Sequence, residues 1–151
     1  MTSKLRHCLC TAALAVTGVF LTACSSTADD DQQAVEDWLA TISLPRATGE
    51  FQLAGLQHYE NQVIAALQMP RSNPLQAESG TDAFDKVSAA VCELPNIAVI
   101  WDAQHEFYAS VKTGTGEDVL TVQTKRFDCC VIAKMATRSR QDAINQCPYE
   151  E

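Results

Sequence analysis

Glu106-Phe107-Tyr108-Ala109-Ser110-Val111-Lys112, with Asp118 to Lys125 beyond Gly114-Thr115-Gly116, decides the fold of this chain. In the first segment Phe107, Ala109 and Val111 alternate with Tyr108 and Ser110, the period of two that marks a half-buried strand. Leu120 and Val122 share a face in the second segment. Between them the two glycines supply a turn; they lack the lysine and further glycines of a phosphate-binding loop. The whole reads as an antiparallel hairpin. It argues against a purely helical bundle.

Upstream of the hairpin the period is helical. Gln33 to Leu44 places Val35, Trp38, Leu39 and Ile42 on one stripe, and Pro45 closes it, with Gly49 following. In Phe51 to Met69, Leu53, Leu56, Tyr59, Val63, Ile64 and Leu67 recur at three- and four-residue spacing, which predicts a long helix ending at Pro70. Arg71 to Gly80 is a loop containing Pro74, and Ser79 with Asp82 resembles a capping box. Thr81 to Leu94 then carries Phe84, Val87, Val91 and Leu94 on one face, and Pro95 stops it. Ile97 to Trp101, a short continuous apolar run, predicts a strand covered on both faces. Asp128 to Ala136 fits a strand or a helix, and Gln141 to Cys147 a last helical turn before Pro148. The expected class is α+β: amphipathic helices followed by a small antiparallel β-meander, held by two disulfides.

The N-terminus is built as a secretory signal. Lys4 and Arg6 give a positive start, Leu9 to Leu21 is uncharged and mostly apolar, and small residues precede a cysteine. An apolar run of about a dozen residues falls short of the roughly 20 needed to span a bilayer as a helix. Leu21-Thr22-Ala23-Cys24 resembles the lipobox of bacterial lipoproteins. The resemblance implies removal of residues 1–23 and a diacylglycerol on Cys24, a membrane anchor worth about 0.8 kcal/mol per buried methylene. Ser25 and Ser26 replace the aspartate that resembles an inner-membrane retention signal. The resemblance therefore implies the periplasmic side of the outer membrane, with the inner membrane as the alternative. On this reading residues 1–23 are a signal peptide, 24–31 a flexible acidic tether and 32–151 a single periplasmic domain.

Charge narrows the partners. Without Lys4 and Arg6 the chain keeps nine basic residues against nineteen acidic ones, a net charge of −10. That balance opposes nucleic acid and anionic lipid headgroups. Acids crowd the start (Asp29, Asp30, Asp31, Glu36, Asp37), while Lys125, Arg126, Lys134, Arg138 and Arg140 crowd the end. The basic group either faces an acidic partner or is a solvated face that pairs with the acidic start.

Of seven cysteines, Cys8 and Cys10 leave with the leader and Cys24 takes lipid. Cys92, Cys129, Cys130 and Cys147 remain, an even number in an exported domain, which predicts two disulfides. A Cys129–Cys130 bond would force strained local geometry, so Cys92 pairs with one member of the doublet and Cys147 with the other. A continuous helix would hold Cys130 and Cys147 about 26 Å apart, whereas a disulfide needs Cα atoms about 4.4–6.8 Å apart. Either the chain bends near Thr137 to Gln141, or those two are not partners. With no C-x-x-C and no ligand spacing around His58 or His105, no metal or other cofactor is expected.

Nor do the residues assemble a catalytic set. His58 falls among helical positions, His105 reads as a turn residue beside carboxylates suited to binding or pH sensing, and no serine stands in a G-x-S-x-G elbow. Glu117-Asp118 follows a turn, and Asp82 with Asp85 opens a helix, where acids favour the dipole. An enzyme is not expected, and no small-molecule ligand is legible. Trp38 and Trp101 read as core, and Tyr108 as an exposed contact on the polar face of its strand. Tyr108, His105, Arg138 and Arg140 are the candidate partner contacts. The expectation is a lipid-anchored envelope lipoprotein acting as a non-catalytic interaction or accessory subunit for another envelope protein. The alternative is a protective inhibitor or immunity/exclusion lipoprotein directed at a cell-wall hydrolase or toxin, where acidity would suit a basic lysozyme-like target.

Overall fold

The computed structural model describes residues 27–70, 75 and 80–148. In chain order it carries α1 (Thr27–Thr41), β1 (Arg46–Thr48), β2 (Phe51–Tyr59), β3 (Gln62–Gln68), α2 (Gly80–Cys92) and α3 (Ala98–Asp102). Then follow β4 (Glu106–Lys112), β5 (Asp118–Thr124), α4 (Arg126–Met135) and α5 (Arg140–Ile144). The fold is α+β, with one sheet in the order β1-β2-β3-β4-β5. Neighbouring strands are antiparallel except β3 and β4, which are parallel. That parallel joint follows from the connection, because the chain crosses through α2 and α3 before re-entering the sheet.

The hairpin at Gly114-Thr115-Gly116 forms as β4 and β5, and the Thr113 N–H donates to the Glu117 carbonyl at 2.8 Å. Phe107, Ala109 and Val111 are buried, as their alternation predicts. They meet Val35 and Trp38 of α1, Ile42 just after it, and Val87 and Val91 of α2 in one core. Trp38 is core too: its ring stands edge-on to Phe107 with centroids 6.4 Å apart, and its Nε1–H donates to the Pro95 carbonyl at 2.8 Å. Gly49 turns β1 into β2 at φ +53°, where a side chain would be strained, and it packs beside Ala90.

Three segments differ from the sequence expectation. Phe51 to Met69 is not a helix but the β2–β3 hairpin. A register shift between Leu53 and Gly55 inserts an extra residue, so the core-facing positions run Phe51, Leu53, then Leu56 and His58. The three-residue step from Leu53 to Leu56 imitates a helical repeat. Ile97 to Trp101 is not a strand, because Ala98–Asp102 forms α3 and buries Ile100 against the core. A five-residue apolar run satisfies either period. Residues 27–31, read as part of a tether, belong to α1. The leader, Cys24 and Ser79 lie outside the described residues.

Asp128 to Ala136 resolves as helix. The Lys125 N–H donates to the Asp128 carboxylate at 2.7 Å, closing the first turn of α4. Disulfides join Cys92 to Cys129 and Cys130 to Cys147, with Cα separations of 5.4 and 5.9 Å. The chain bends between Met135 and Arg140, where Ser139 caps α5 by accepting the Asp142 N–H at 3.3 Å. Val131, Ala143 and Cys147 close a second, smaller core between α4 and α5.

Candidate functional site

All the helices that bury the main core lie on one face of the sheet, the face of Val63, Ala65, Leu67, Phe107, Ala109 and Val111. The alternate residues of β2 to β5 form the opposite face, where they are half-buried or exposed. Strand pairing arranges them in rows across the sheet. Gln57, Ile64, Tyr108 and Gln123 make one row. Gly55, Ala66, Ser110 and Thr121 make the next, and Gln52, Gln68, Lys112 and Asp118 a third. The small residues of the second row sit between larger neighbours, beside a cavity of about 200 Å³ lined by Ala54, Ala66, Gln68 and Lys112. On this face Lys112 pairs with Asp118 at 3.3 Å.

Glu106 is the polar hub of the face. Its carboxylate accepts from Tyr108 Oη at 3.0 Å and from Gln62 and Gln123 Nε2, each at 3.2 Å. Three neutral donors thus satisfy one charge while leaving the face low in net charge. The hydrogen bond to Glu106 holds the Tyr108 phenol above its ordinary pKa, helped by desolvation and by repulsion between phenolate and carboxylate.

His105 lies at the end of the sheet, 9 % exposed, between α3 and β4. The structure brings it to His58 of β2, Nε2 to Nε2 at 3.1 Å. The carbonyl oxygen of Glu60 is 3.0 Å from His58 Nε2 and 3.1 Å from His105 Nε2. Both turns beside the pair hold a non-glycine residue at positive φ, Glu60 at 51° and Gln104 at 56°. Such residues cost of order 1–3 kcal/mol each and concentrate at functional sites. Among the described residues no group of three or more His, Cys, Asp or Glu side chains is arranged to hold a metal ion. Among the same residues no helix is long and apolar enough to cross a membrane.

The four candidate contacts do not form one patch. Tyr108 stands on the open face, His105 at the sheet's end, and Arg138 is exposed between α4 and α5. Arg140 pairs with Asp85 of α2, on the helical side. Its guanidinium is held above the ordinary arginine pKa chiefly by that hydrogen bond. Trp101 is partly buried, donating to the Thr124 carbonyl at 3.3 Å beneath the Arg126 guanidinium.

No family profile and no curated protein sequence matches the chain. Solved structures do resemble it. A pilotin of the Vibrio vulnificus type 2 secretion system, EpsS, aligns at 12 % identity and TM-score 0.49, covering 68 % of this chain and 91 % of its own. A Pseudomonas aeruginosa protein described as secreted aligns at 17 % identity and TM-score 0.47, over 68 % of this chain and 92 % of its own. The type II secretion pilotin AspS from Vibrio cholerae aligns at 10 % identity and TM-score 0.46, over 68 % and 88 %.

Sequence reasoning missed the His58–His105 pair because it put His58 on a helix. It missed the rows of the open face for the same reason, since β2 and β3 supply half of them. Gly55 was the available signal, as a glycine within an apolar segment marks a bulged strand.

Proposed function

We propose that this chain is a lipid-anchored envelope lipoprotein of the periplasmic side, working as a non-catalytic interaction or accessory subunit for another envelope protein. The observation that carries the reading is the second face of the sheet, open among the described residues and centred on Ile64 and Tyr108. Charges are depleted and tyrosine enriched at the centres of protein interfaces. Glutamines and small residues around Tyr108, with the Glu106 carboxylate held by three neutral donors, fit a partner surface low in charge there, with the row from Gly55 to Thr121 as the trough it enters. Two disulfides suit an oxidising compartment.

The test is brief crosslinking in the native envelope and mild-detergent capture, comparing the natural chain with Tyr108→Ala and Ala66→Arg. One stoichiometric envelope protein, lost with both variants while the chain stays folded, supports the reading. Peptides from a type 2 secretion system would name that machine, and those from another assembly would name that one instead. Capture of a cell-wall hydrolase or toxin alone overturns the accessory role in favour of an inhibitor.

A further inference from the structure

We propose that His58 and His105, with the backbone carbonyl of Glu60, bind a borderline divalent transition-metal ion of the Zn²⁺, Cu²⁺ or Ni²⁺ class. The three atoms form a nearly equilateral triangle: 3.1 Å between the two Nε2 atoms, 3.0 Å from His58 Nε2 to the Glu60 oxygen and 3.1 Å from His105 Nε2 to the same oxygen. Nitrogen ligands at about 2.0–2.1 Å from a tetrahedral ion lie about 3.3 Å from one another, so two tenths of an ångström separate the observed pair from ligand spacing.

The protonation pattern favours a cation. His105 Nδ1 lies 2.7 Å from the Ala103 carbonyl. A carbonyl only accepts, so Nδ1 carries a proton, and in the neutral form of the ring Nε2 presents a lone pair. That lone pair meets the Glu60 oxygen, another acceptor, and a single proton on His58 Nε2 has to serve both. A metal ion replaces it without net proton loss when His58 moves its proton to Nδ1. A ligating histidine whose other nitrogen donates to a backbone carbonyl is the usual outer-shell arrangement of a metal site.

Access and charge point the same way. A cavity of about 520 Å³ opens beside His105 and is lined by Asp31 of α1, Glu60 and Asn61. The acidic residues beside the cavity favour the approach of a cation, and water from the cavity completes the coordination. Imidazole donors select transition ions over magnesium and calcium, which prefer oxygen. The site was invisible in the sequence because His58 and His105 are 47 residues apart and neither belongs to a spaced motif.

The test is calorimetric titration of the detergent-purified protein with Zn²⁺, with Mg²⁺ as the control, on the natural chain and His58→Ala. The expected result is one equivalent of Zn²⁺, no Mg²⁺ binding, and an affinity at least about tenfold weaker in His58→Ala. Unchanged Zn²⁺ binding in that variant, or no binding by the natural chain, overturns the site. Nitrogen-15 spectra of the natural protein's imidazoles give a readout that needs no variant. One equivalent of Zn²⁺ should shift Nε2 of both rings together, and shifts confined to carboxylate neighbours would overturn the proposal.

Discussion

Arg140 of α5 grips both carboxylate oxygens of Asp85 on α2, Nε to Oδ2 at 2.9 Å and Nη2 to Oδ1 at 3.2 Å. Together with the Cys92–Cys129 bond it fixes the α4–α5 hairpin to the helix that covers the sheet. The basic end of the chain is therefore partly engaged inside the fold, Arg140 with Asp85 of α2 and Arg126 with Asp102 of α3, rather than with the acidic start.

Breaking this contact should cost little globally. The arginine side chain is 40 % exposed, so solvent screens the pair, although the carboxylate is only 13 % exposed. Asp85→Ala should lower stability by about 1 kcal/mol or less. Arg140→Lys should recover only part of the contact, because an ammonium cannot bond both oxygens in the fork geometry. Urea unfolding midpoints at low and high salt check both, with the difference between variants shrinking as salt rises.

The disulfides should separate into a global and a local staple. Cys92–Cys129 closes a loop of 37 residues and Cys130–Cys147 one of 17. Chain-entropy arithmetic gives about 4 and about 3 kcal/mol respectively. Replacing Cys130 and Cys147 with serine should expose the amides of α5 and the end of α4, because the second core they close is small. Amide hydrogen exchange should show that loss while β3 and β4 keep their protection. Replacing Cys92 and Cys129 should instead lower the midpoint of the whole molecule.

Tyr108 should titrate late. Its folded-state pKa is raised by Glu106, so the folded chain holds this proton more tightly than the unfolded chain. The associated stability is fully present below the unfolded value of about 10 and is lost as pH rises through the folded midpoint. Ultraviolet phenolate titration should assign the late step to Tyr108 by its disappearance in Tyr108→Phe. In Glu106→Gln the step should move down towards pH 10, since the carboxylate that accepts the phenol's hydrogen bond and opposes the phenolate is gone. A midpoint that ignores the glutamine would mean the carboxylate does not control this phenol.

How much of this the sequence discloses depends on whether one period fits a segment. Phe107, Ala109 and Val111 allow only a strand, and the stripes from Val35 to Ile42 and from Phe84 to Leu94 allow only helices, so those elements stand where expected. At Leu53 to Leu56 a bulge changes the parity of a strand, and the altered spacing passes for 3.6. At Ile97 to Trp101 a five-residue run carries no period at all. Distance left two alternatives before Arg140, a bend or a different partner for Cys147, and the Cys130–Cys147 bond selects the bend. The open face and the histidine pair were not legible, since both are assembled by the pairing of β2 with β3 and of β3 with β4.

The anchor makes its own prediction, independent of the fold. If Cys24 carries acyl chains, Cys24→Ala should leave the precursor uncut or release the domain from the membrane. Metabolic labelling with radioactive palmitate should mark the natural chain and not the variant. The affinity argument is additive: one saturated chain of about fourteen carbons binds a membrane only marginally, whereas two or more make the attachment stable. Partial release with high salt would point to a surface held by charge, which a net charge of −10 on the processed chain disfavours against an anionic leaflet. Release by detergent alone, together with palmitate on Cys24, is the expected pair of results. Unchanged acylation together with unchanged membrane fractionation in Cys24→Ala would remove the lipid anchor and with it the reason to seek the partner of Tyr108 at a membrane.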